Sequence, residues 1–216
     1  NDYVTYSNVL NKLGKPDEGI AVIEKGAEAL ADNASMLQTL SNTYYAAKRY
    51  LDAAKAYDRY LATKGEDVSG TDLFTGAGRY LSAAATADST MNPMEIAQNG
   101  IAYVDKALEN QPNNSSLLRR RAQLLLVGNG NEMNQAAADA YIKLIELLDL
   151  NPDGKNASSP NNDIDYYKNA YLMLGVYFDG INDKDNAVKY FSLYYELDPN
   201  NAAIAKYLGK DVATQE

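Results

Sequence analysis

The stretch from Lys168 to Asn201 constrains the fold of this chain more than any other, because its apolar and small residues have the spacing of two packed helices. One face of a first predicted helix carries Tyr171, Leu174, Gly175 and Phe178, and a second helix carries Ala187, Phe191 and Tyr194. Pro199 ends the second helix. Gly175 and Ala187 are the small residues at which the helices should touch most closely. The stretch therefore predicts an antiparallel helix pair.

The same pattern occurs twice more near the N-terminus, with a period of 34 residues. The first copy contains Tyr3, Tyr6, Ser7, Leu10, Gly19, Ile23 and Gly26, and the second contains Leu37, Leu40, Ser41, Tyr44, Ala53, Tyr57 and Tyr60. Pro16 stands where a second helix would begin, a position that tolerates its missing N–H. Asn33 can cap the third helix. The chain is thus predicted to be an array of similar helix pairs.

The spacing in residues 168–201 resembles the tetratricopeptide repeat, a helix pair of about 34 residues. It reads Tyr-x2-Leu-Gly-x2-Phe, then Ala-x3-Phe, with a Pro eight residues later. The resemblance implies an all-α solenoid, a right-handed superhelix of about five helix pairs plus a final helix. It also implies that the first helix of each pair lines a concave binding surface.

We expect one repeat domain over residues 1–216, with repeats at about 1–33, 34–67, 70–114, 115–151 and 164–201 and a final helix at 202–212. In the third repeat, a helix over 71–86 precedes a capping box with Pro at residues 92–95, and an insertion of about ten residues is expected in a loop. The segment from Leu150 to Asn162 is expected to be a flexible surface loop, followed by Asp163 as a helix cap. Because the chain opens on Asn1, we expect a piece of a longer protein.

Composition excludes several classes of function. The sequence contains no Cys and no His, which removes thiolate and imidazole metal sites and the nucleophile pairs that use them. The net charge of -9 disfavours nucleic acid as a partner, since phosphate binding needs a basic surface. No apolar run approaches the ~20 residues of a membrane-spanning helix. The 18 Tyr residues, without any Trp, are expected mainly to pack between helices.

The resemblance also implies which side chains face the concave surface. In the first two repeats these are Asn8, Asn11, Gln38, Asn42 and Tyr45. An amide side chain both donates and accepts hydrogen bonds, so it can hold the backbone of an extended peptide. The carboxylate clamp known in the family is not expected here, because Val4 and Gln38 replace its first Lys.

A single dense basic cluster, Arg119 to Arg121, lies in the fourth repeat. The family register places Arg119 on the concave side, with Gln123 one turn later. Three consecutive residues cover about 200° of a helix, so they cannot all serve one ligand. We expect Arg119 to contact an acidic or carboxylate-bearing partner, whereas Arg121 replaces a core residue and should form a structural pair.

These observations predict a scaffold that binds a protein or peptide partner, without catalysis, cofactor or metal. Nucleic acid and a membrane-spanning segment are not expected, and the oligomeric state is left open. Two alternatives remain, a glycan-binding module of a bacterial sugar-uptake system that uses Tyr45, and an enzyme with a carboxylate-based site. The long helices and abundant Tyr, Asn and Asp resemble exported bacterial members of the family, which favours the periplasm over the cytoplasm.

Overall fold

The computed structural model describes residues 2–160 and 163–211, and these residues form an all-helical structure. Within them lie eleven α-helices and one short 3-10 helix, and no strand. The helices are α1 Asp2–Lys12, α2 Pro16–Ala29, α3 Ala34–Ala46, α4 Tyr50–Lys64, α5 Gly70–Ala85, α6 Pro93–Asn110, α7 Ser115–Gly128, α8 Gln135–Leu148, α9 Ile164–Gly180, α10 Lys184–Leu197 and α11 Ala202–Tyr207. The all-α prediction is confirmed.

The helices pack in consecutive pairs and belong to two compact units, Asn1–Pro112 and Asn113–Glu216. The first unit contains the pairs α1/α2, α3/α4 and α5/α6, and α2 also packs on α3 and α4 on α5. The second contains α7/α8 and α9/α10, with α8 on α9 and α11 on α10. Each pair buries its apolar stripe against its neighbour, as expected of a repeat array. The continuous single domain over residues 1–216 stays a prediction.

Helix starts follow the local sequence with two corrections. Pro16 begins α2 and the Asn33 side chain accepts from Met36 N at 2.9 Å, as predicted. At α6 the Asn92 side chain accepts from Met94 N, but the complete capping box lies at α5, between Ser69 and Asp72. Asp163 precedes α9 without capping it. Its carboxylate instead accepts from Asn151 Nδ2 at 2.8 Å, because that loop residue competes for the same oxygen.

The extra residues of the third repeat lengthen its helices more than its loop. The helices α5 and α6 have 16 and 18 residues, whereas α3 and α4 have 13 and 15. The connection is short, since α5 ends at Ala85 and α6 begins at Pro93. The insertion expected in a loop is therefore mostly helical, which gives α5 and α6 additional surface against each other.

The repeat at 168–201 packs closely at its glycine. A Cβ placed on Gly175 would lie 2.5 Å from Cδ1 of the buried Phe191 ring, a distance that real Cβ atoms do not adopt. Ala187 is fully buried on the facing helix. The close approach predicted for Gly175 is confirmed, and the group that fills the space is the ring of Phe191.

The segment after α8 is a surface loop whose first half is anchored. Gly154 is buried, and its carbonyl accepts from Asp163 N at 2.8 Å. Lys155 lies over the Tyr167 ring at 4.6 Å and pairs with Asp149 at 3.0 Å. These contacts oppose the flexibility that the composition suggested. Asn162, at the predicted end of the loop, lies outside the described residues.

The last helix is shorter than predicted. It ends at Tyr207, and Gly209 has a φ of 64°, which a right-handed helix does not allow. The predicted end at residue 212, like the start of the first repeat at Asn1, lies outside the described residues. Among the described helices none has the length and apolar character needed to cross a membrane.

Candidate functional site

Most of the predicted binding residues of the first unit are exposed on the first helices of their pairs. Asn8 on α1 and Gln38 and Asn42 on α3 are exposed, and Tyr45 retains 40% of its accessible surface. Asn11 differs, because its Oδ1 lies 2.6 Å from the position that a Cβ on Gly19 would take. Its half-buried side chain therefore packs against α2, the partner of α1 in the same hairpin.

The structure brings two of these residues together around a side chain that the sequence pattern did not single out. Arg79 on α5 is 8% exposed, and its Nη2 donates to Asn42 Oδ1 at 2.6 Å. Its guanidinium lies over the rings of Tyr45 at 4.9 Å and Tyr57 at 5.2 Å. The Tyr45 hydroxyl is 3.0 Å from Ser82 Oγ, also on α5. We call Asn42, Tyr45, Arg79 and Ser82 the Arg79 cluster.

Arg79 is a buried cation without an anionic partner. Among the described residues no carboxylate forms a salt bridge with it, and its buried Nε has no hydrogen-bond partner. The only other acceptor is the Ser41 carbonyl at the long distance of 3.5 Å from Nη1. Burial lowers the pKa of Arg79, and the rings of Tyr57 and Tyr45 oppose this effect. The faces of the two rings supply the remaining compensation for its charge.

A second set of contacts fixes α5, and with it the position of Arg79. Asp58 on α4 accepts hydrogen bonds from Tyr80 on α5 and, at 2.6 Å, from Tyr103 on α6. Burial raises the pKa of both hydroxyls, and the bonds to Asp58 raise it further. A similar bond joins Tyr44 on α3 to Glu24 on α2. Tyrosines of the first helices are thus tied to acids of the preceding helices.

The predicted residues of the fourth repeat lie on α7 in the second unit. The Arg119 guanidinium stacks on the ring of Tyr166 at 4.7 Å, and the Tyr166 hydroxyl is 2.9 Å from Ser116 Oγ. The Arg119 Nε is buried without a partner among the described residues. Gln123, one turn later, is half-buried. Arg119 is therefore held by an aromatic ring, like Arg79.

A buried hydroxyl lies in the same unit. Tyr141 on α8 is fully buried, and its hydroxyl has no hydrogen-bond partner in the described structure. Burial raises the pKa of Tyr141 to about 12, although the charge of Arg119 acts in the opposite direction. The phenol is therefore neutral at ordinary pH and cannot serve as an anionic partner for Arg119.

Arg79 and Ser82 were missed because the register of 34 residues does not connect them to the second repeat. Each lies 37 residues after the residue that it contacts, Asn42 and Tyr45 respectively. One sequence signal was available, since Arg79 is the single basic residue of α5 and directly precedes the buried Tyr80. A cation at that place on a helix must either find a partner or disrupt the packing.

Comparison with known proteins identifies the fold. The family model described as tetratricopeptide repeat matches residues 169–201. A comparison with curated protein sequences finds no match.

Several solved structures share the architecture at low sequence identity. The structure of YrrB, described as a TPR protein with an unusual peptide-binding site, has a TM-score of 0.57 and 14% identity, covering 96% of this chain and 90% of its own. MamA from Desulfovibrio magneticus RS-1 has a TM-score of 0.56 and 14% identity, covering 93% and 95%. A thermophilic TPR protein of Thermus thermophilus has a TM-score of 0.50 and 12% identity, covering 96% of each chain. Residues 169–201 are therefore a tetratricopeptide repeat, and the chain has the tetratricopeptide-repeat fold.

Proposed function

We propose that this chain is a scaffold that binds an extended peptide segment of a partner protein at the Arg79 cluster. The observation that carries the proposal is that exposed Asn42 and Tyr45 are held in fixed positions by the buried Arg79. Polar side chains that are already ordered lose little conformational entropy on binding, which favours affinity from a few modest contacts. Asn8 and Gln38, exposed on α1 and α3, are further candidate contacts.

The fold supports a binding role in general terms. Tetratricopeptide repeats are interaction modules, and YrrB, which shares the fold, is described as having a peptide-binding site. A site for peptide backbone also suits the chemistry of the cluster, which combines an amide, a phenol and a hydroxyl. No catalytic step is needed for this role, and we propose none.

A peptide suits the cluster better than a sugar ring. Sugars in proteins commonly stack on an open aromatic face, and Tyr45 was the residue that suggested this alternative. The Arg79 guanidinium lies against that ring at 4.9 Å, and Tyr50 approaches it edge-on at 5.0 Å. Little of the ring face is left for a sugar, so the cluster favours the peptide.

Arg119 is a separate candidate contact, in the second unit. It is half-buried and stacks on Tyr166, and no salt bridge joins it to a carboxylate among the described residues. We propose that Arg119, with Gln123 one turn later, contacts an acidic group of the partner. A charged hydrogen bond to a carboxylate is among the stronger polar contacts available to a scaffold.

Selection of peptides tests the proposal directly. Random dodecapeptides displayed on phage are selected on the whole chain, and enriched sequences are synthesised with acetylated and amidated ends. We expect the double variant N42A/Y45A to lose at least about tenfold in affinity by calorimetry, since two ordered contacts are removed. Ser35→Ala, an exposed change on the same helix, is the matched control and should bind like the unchanged chain. Failure to enrich any peptide, or equal binding by the double variant, contradicts the proposal.

A further inference from the structure

The hydrogen bond between Arg79 and Asn42 determines which end of the Asn42 amide faces a ligand. An arginine side chain carries five N–H donors and no acceptor. The atom of Asn42 that lies 2.6 Å from Nη2 must therefore be the carbonyl oxygen Oδ1, because the amide NH2 would place two donors against each other. The orientation of this amide follows from chemistry and does not depend on telling oxygen from nitrogen.

Once Oδ1 is bonded to Arg79, the exposed part of Asn42 is its Nδ2 group with two N–H donors. A free asparagine offers a ligand both a donor and an acceptor, and this was the expectation from the sequence. The burial of Arg79, at 8% exposure, makes the arrangement persistent, because breaking the bond would leave a buried N–H unsatisfied. Asn42 therefore acts toward a ligand almost purely as a donor.

We infer that Arg79 is a positioning residue that makes Asn42 select oxygen acceptors, so that the site binds the main-chain carbonyl groups of an extended peptide. This inference rests on the proposed function for its ligand and on the contacts of Arg79 for its mechanism.

The neighbouring hydroxyls leave the donor role to Asn42. Ser82 Oγ donates to the Gly78 carbonyl of its own helix at 3.2 Å, so it accepts the proton of the Tyr45 hydroxyl at 3.0 Å. Both hydroxyl protons are thus used within the first unit. The Nδ2 group of Asn42 is the donor that the cluster offers to a ligand.

Asn8 is the natural reference for this inference. It lies one period of 34 residues before Asn42, at the matching place on α1, and it is exposed. Its side chain makes no hydrogen bond within the described part of the chain. Asn8 can therefore turn its amide either way, whereas the Asn42 amide is held in one orientation.

The first measurement uses the protein without ligand. In the 15N-labelled chain, the heteronuclear NOE of the Asn42 side-chain amide should be high and close to backbone values, while that of Asn8 should be low. In Arg79→Met the Asn42 value should fall to that of Asn8, because the acceptor of the bond loses its donor. An Asn42 amide that is as mobile as Asn8 in the unchanged chain overturns the inference.

The second measurement uses Asn42→Asp, which keeps an oxygen for Arg79 but replaces the exposed donors with an acceptor. The variant should be at least as stable in urea as the unchanged chain, because its bond to Arg79 becomes charge-assisted. A clear loss of stability would mean that Oδ1 does not face Arg79, and would overturn the inference. This variant also covers the case in which Arg79→Met does not fold.

Affinity for the selected, end-capped dodecapeptide completes the test. We expect Asn42→Asp to bind at least about tenfold more weakly, since an anionic oxygen would face a carbonyl oxygen. Arg79→Met should bind about threefold more weakly, because the released amide must be ordered on binding. The same peptide with a free C-terminal carboxylate shows whether that group is the acceptor instead of the main chain, and a gain in affinity there overturns the main-chain assignment.

The two proposals fail in different ways. If the Asn42 amide is rigid but Asn42→Asp binds the peptide as well as the unchanged chain, the donor selectivity is overturned and peptide binding stands. If no peptide is enriched at all, the proposed function falls and takes the ligand assignment with it. If the amide is mobile in the unchanged chain, the role of Arg79 is overturned whatever the affinity.

Discussion

The Arg79 cluster and the repeat at 169–201 show opposite relations between sequence regularity and exposed polar chemistry. The repeat matches the family model, yet its first helix presents Leu172 and the 48% exposed Val176 where α3 presents Gln38 and Asn42. Its one acid there, Asp179, is already bonded to Lys184 and Tyr207. The Arg79 cluster lies outside the matched repeat and keeps exposed polar groups in fixed positions. Residues that define a repeat are therefore a poor guide to residues that bind.

The largest expected effect tests whether the repeat at 169–201 serves packing. Gly175→Ala should lower the free energy of unfolding by about 2–3 kcal/mol, because the added methyl overlaps the buried Phe191 ring. Urea unfolding followed by circular dichroism measures the change. Gly180→Ala, where a Cβ meets nothing within 4 Å, is the control and should be neutral or stabilising by up to about 1 kcal/mol. Equal results for the two variants would show that the glycine contact has no energetic role.

The next prediction tests the support beneath the Arg79 cluster. Asp58→Ala should cost about 2 kcal/mol of unfolding free energy, because the hydroxyls of the buried Tyr80 and the half-buried Tyr103 both lose their acceptor. Asp52→Ala, which removes an exposed pair with Arg49 at 2.8 Å, should cost less than about 1 kcal/mol. If the two acids matter equally in thermal unfolding, Asp58 is not a structural tie.

A pH-dependent contribution to stability should arise between α4 and α5. Burial alone would raise the pKa of Asp72, but hydrogen bonds from Lys64 and Ser69 together outweigh it and lower the pKa to about 2. A lowered pKa stabilises the fold above the unfolded value of 3.8, and the stabilisation is lost as pH falls from about 4 to 2. Relative to Asp72→Asn, the unchanged chain should lose about 1–2 kcal/mol more over this range in urea titrations. Parallel pH profiles for both proteins would contradict the prediction.

The smallest expected effect sharpens the comparison itself. Val176→Asn places an amide in the matched repeat at the position that corresponds to Asn42, but no arginine there holds its oxygen. We expect stability to change by less than about 0.5 kcal/mol, since Val176 is largely exposed. Affinity for the selected dodecapeptide should not change in calorimetry. A gain in affinity would show that an amide at this position suffices without a positioning arginine.

Much of the architecture could be predicted from the sequence. Pro16 and Asn33 mark helix starts through their own backbone and side-chain chemistry, so a local pattern was sufficient. Asp163 was predicted as a cap and is not one, because a loop residue twelve positions earlier takes its carboxylate. The insertion expected in a loop instead extends α5 and α6, since neither helix contains a residue that stops it early.

The candidate site was only partly predictable. The exposure expected for Asn42 and Tyr45 follows from helical periodicity, which is a property of one helix. Arg79 was missed because its partners lie 34 or more residues away on α3, and the third repeat departs from the regular period. The packing role expected for the tyrosines is seen in Tyr57 and Tyr80, which are buried. The hydroxyl partners of such tyrosines were not expected.

The sequence by itself determined that this chain forms helix pairs, where most of them begin and which stripe of each helix is buried. These properties arise from residues a few positions apart on the same helix, whose spacing is set by 3.6 residues per turn. The tertiary structure alone decided that Arg79 meets Asn42 and Tyr45, and that Tyr80 and Tyr103 share Asp58. Side-chain hydrogen bonds between helices require placement to within a few tenths of an ångström, and only the packing of α4 against α3 and α5, and of α5 against α6, supplies it.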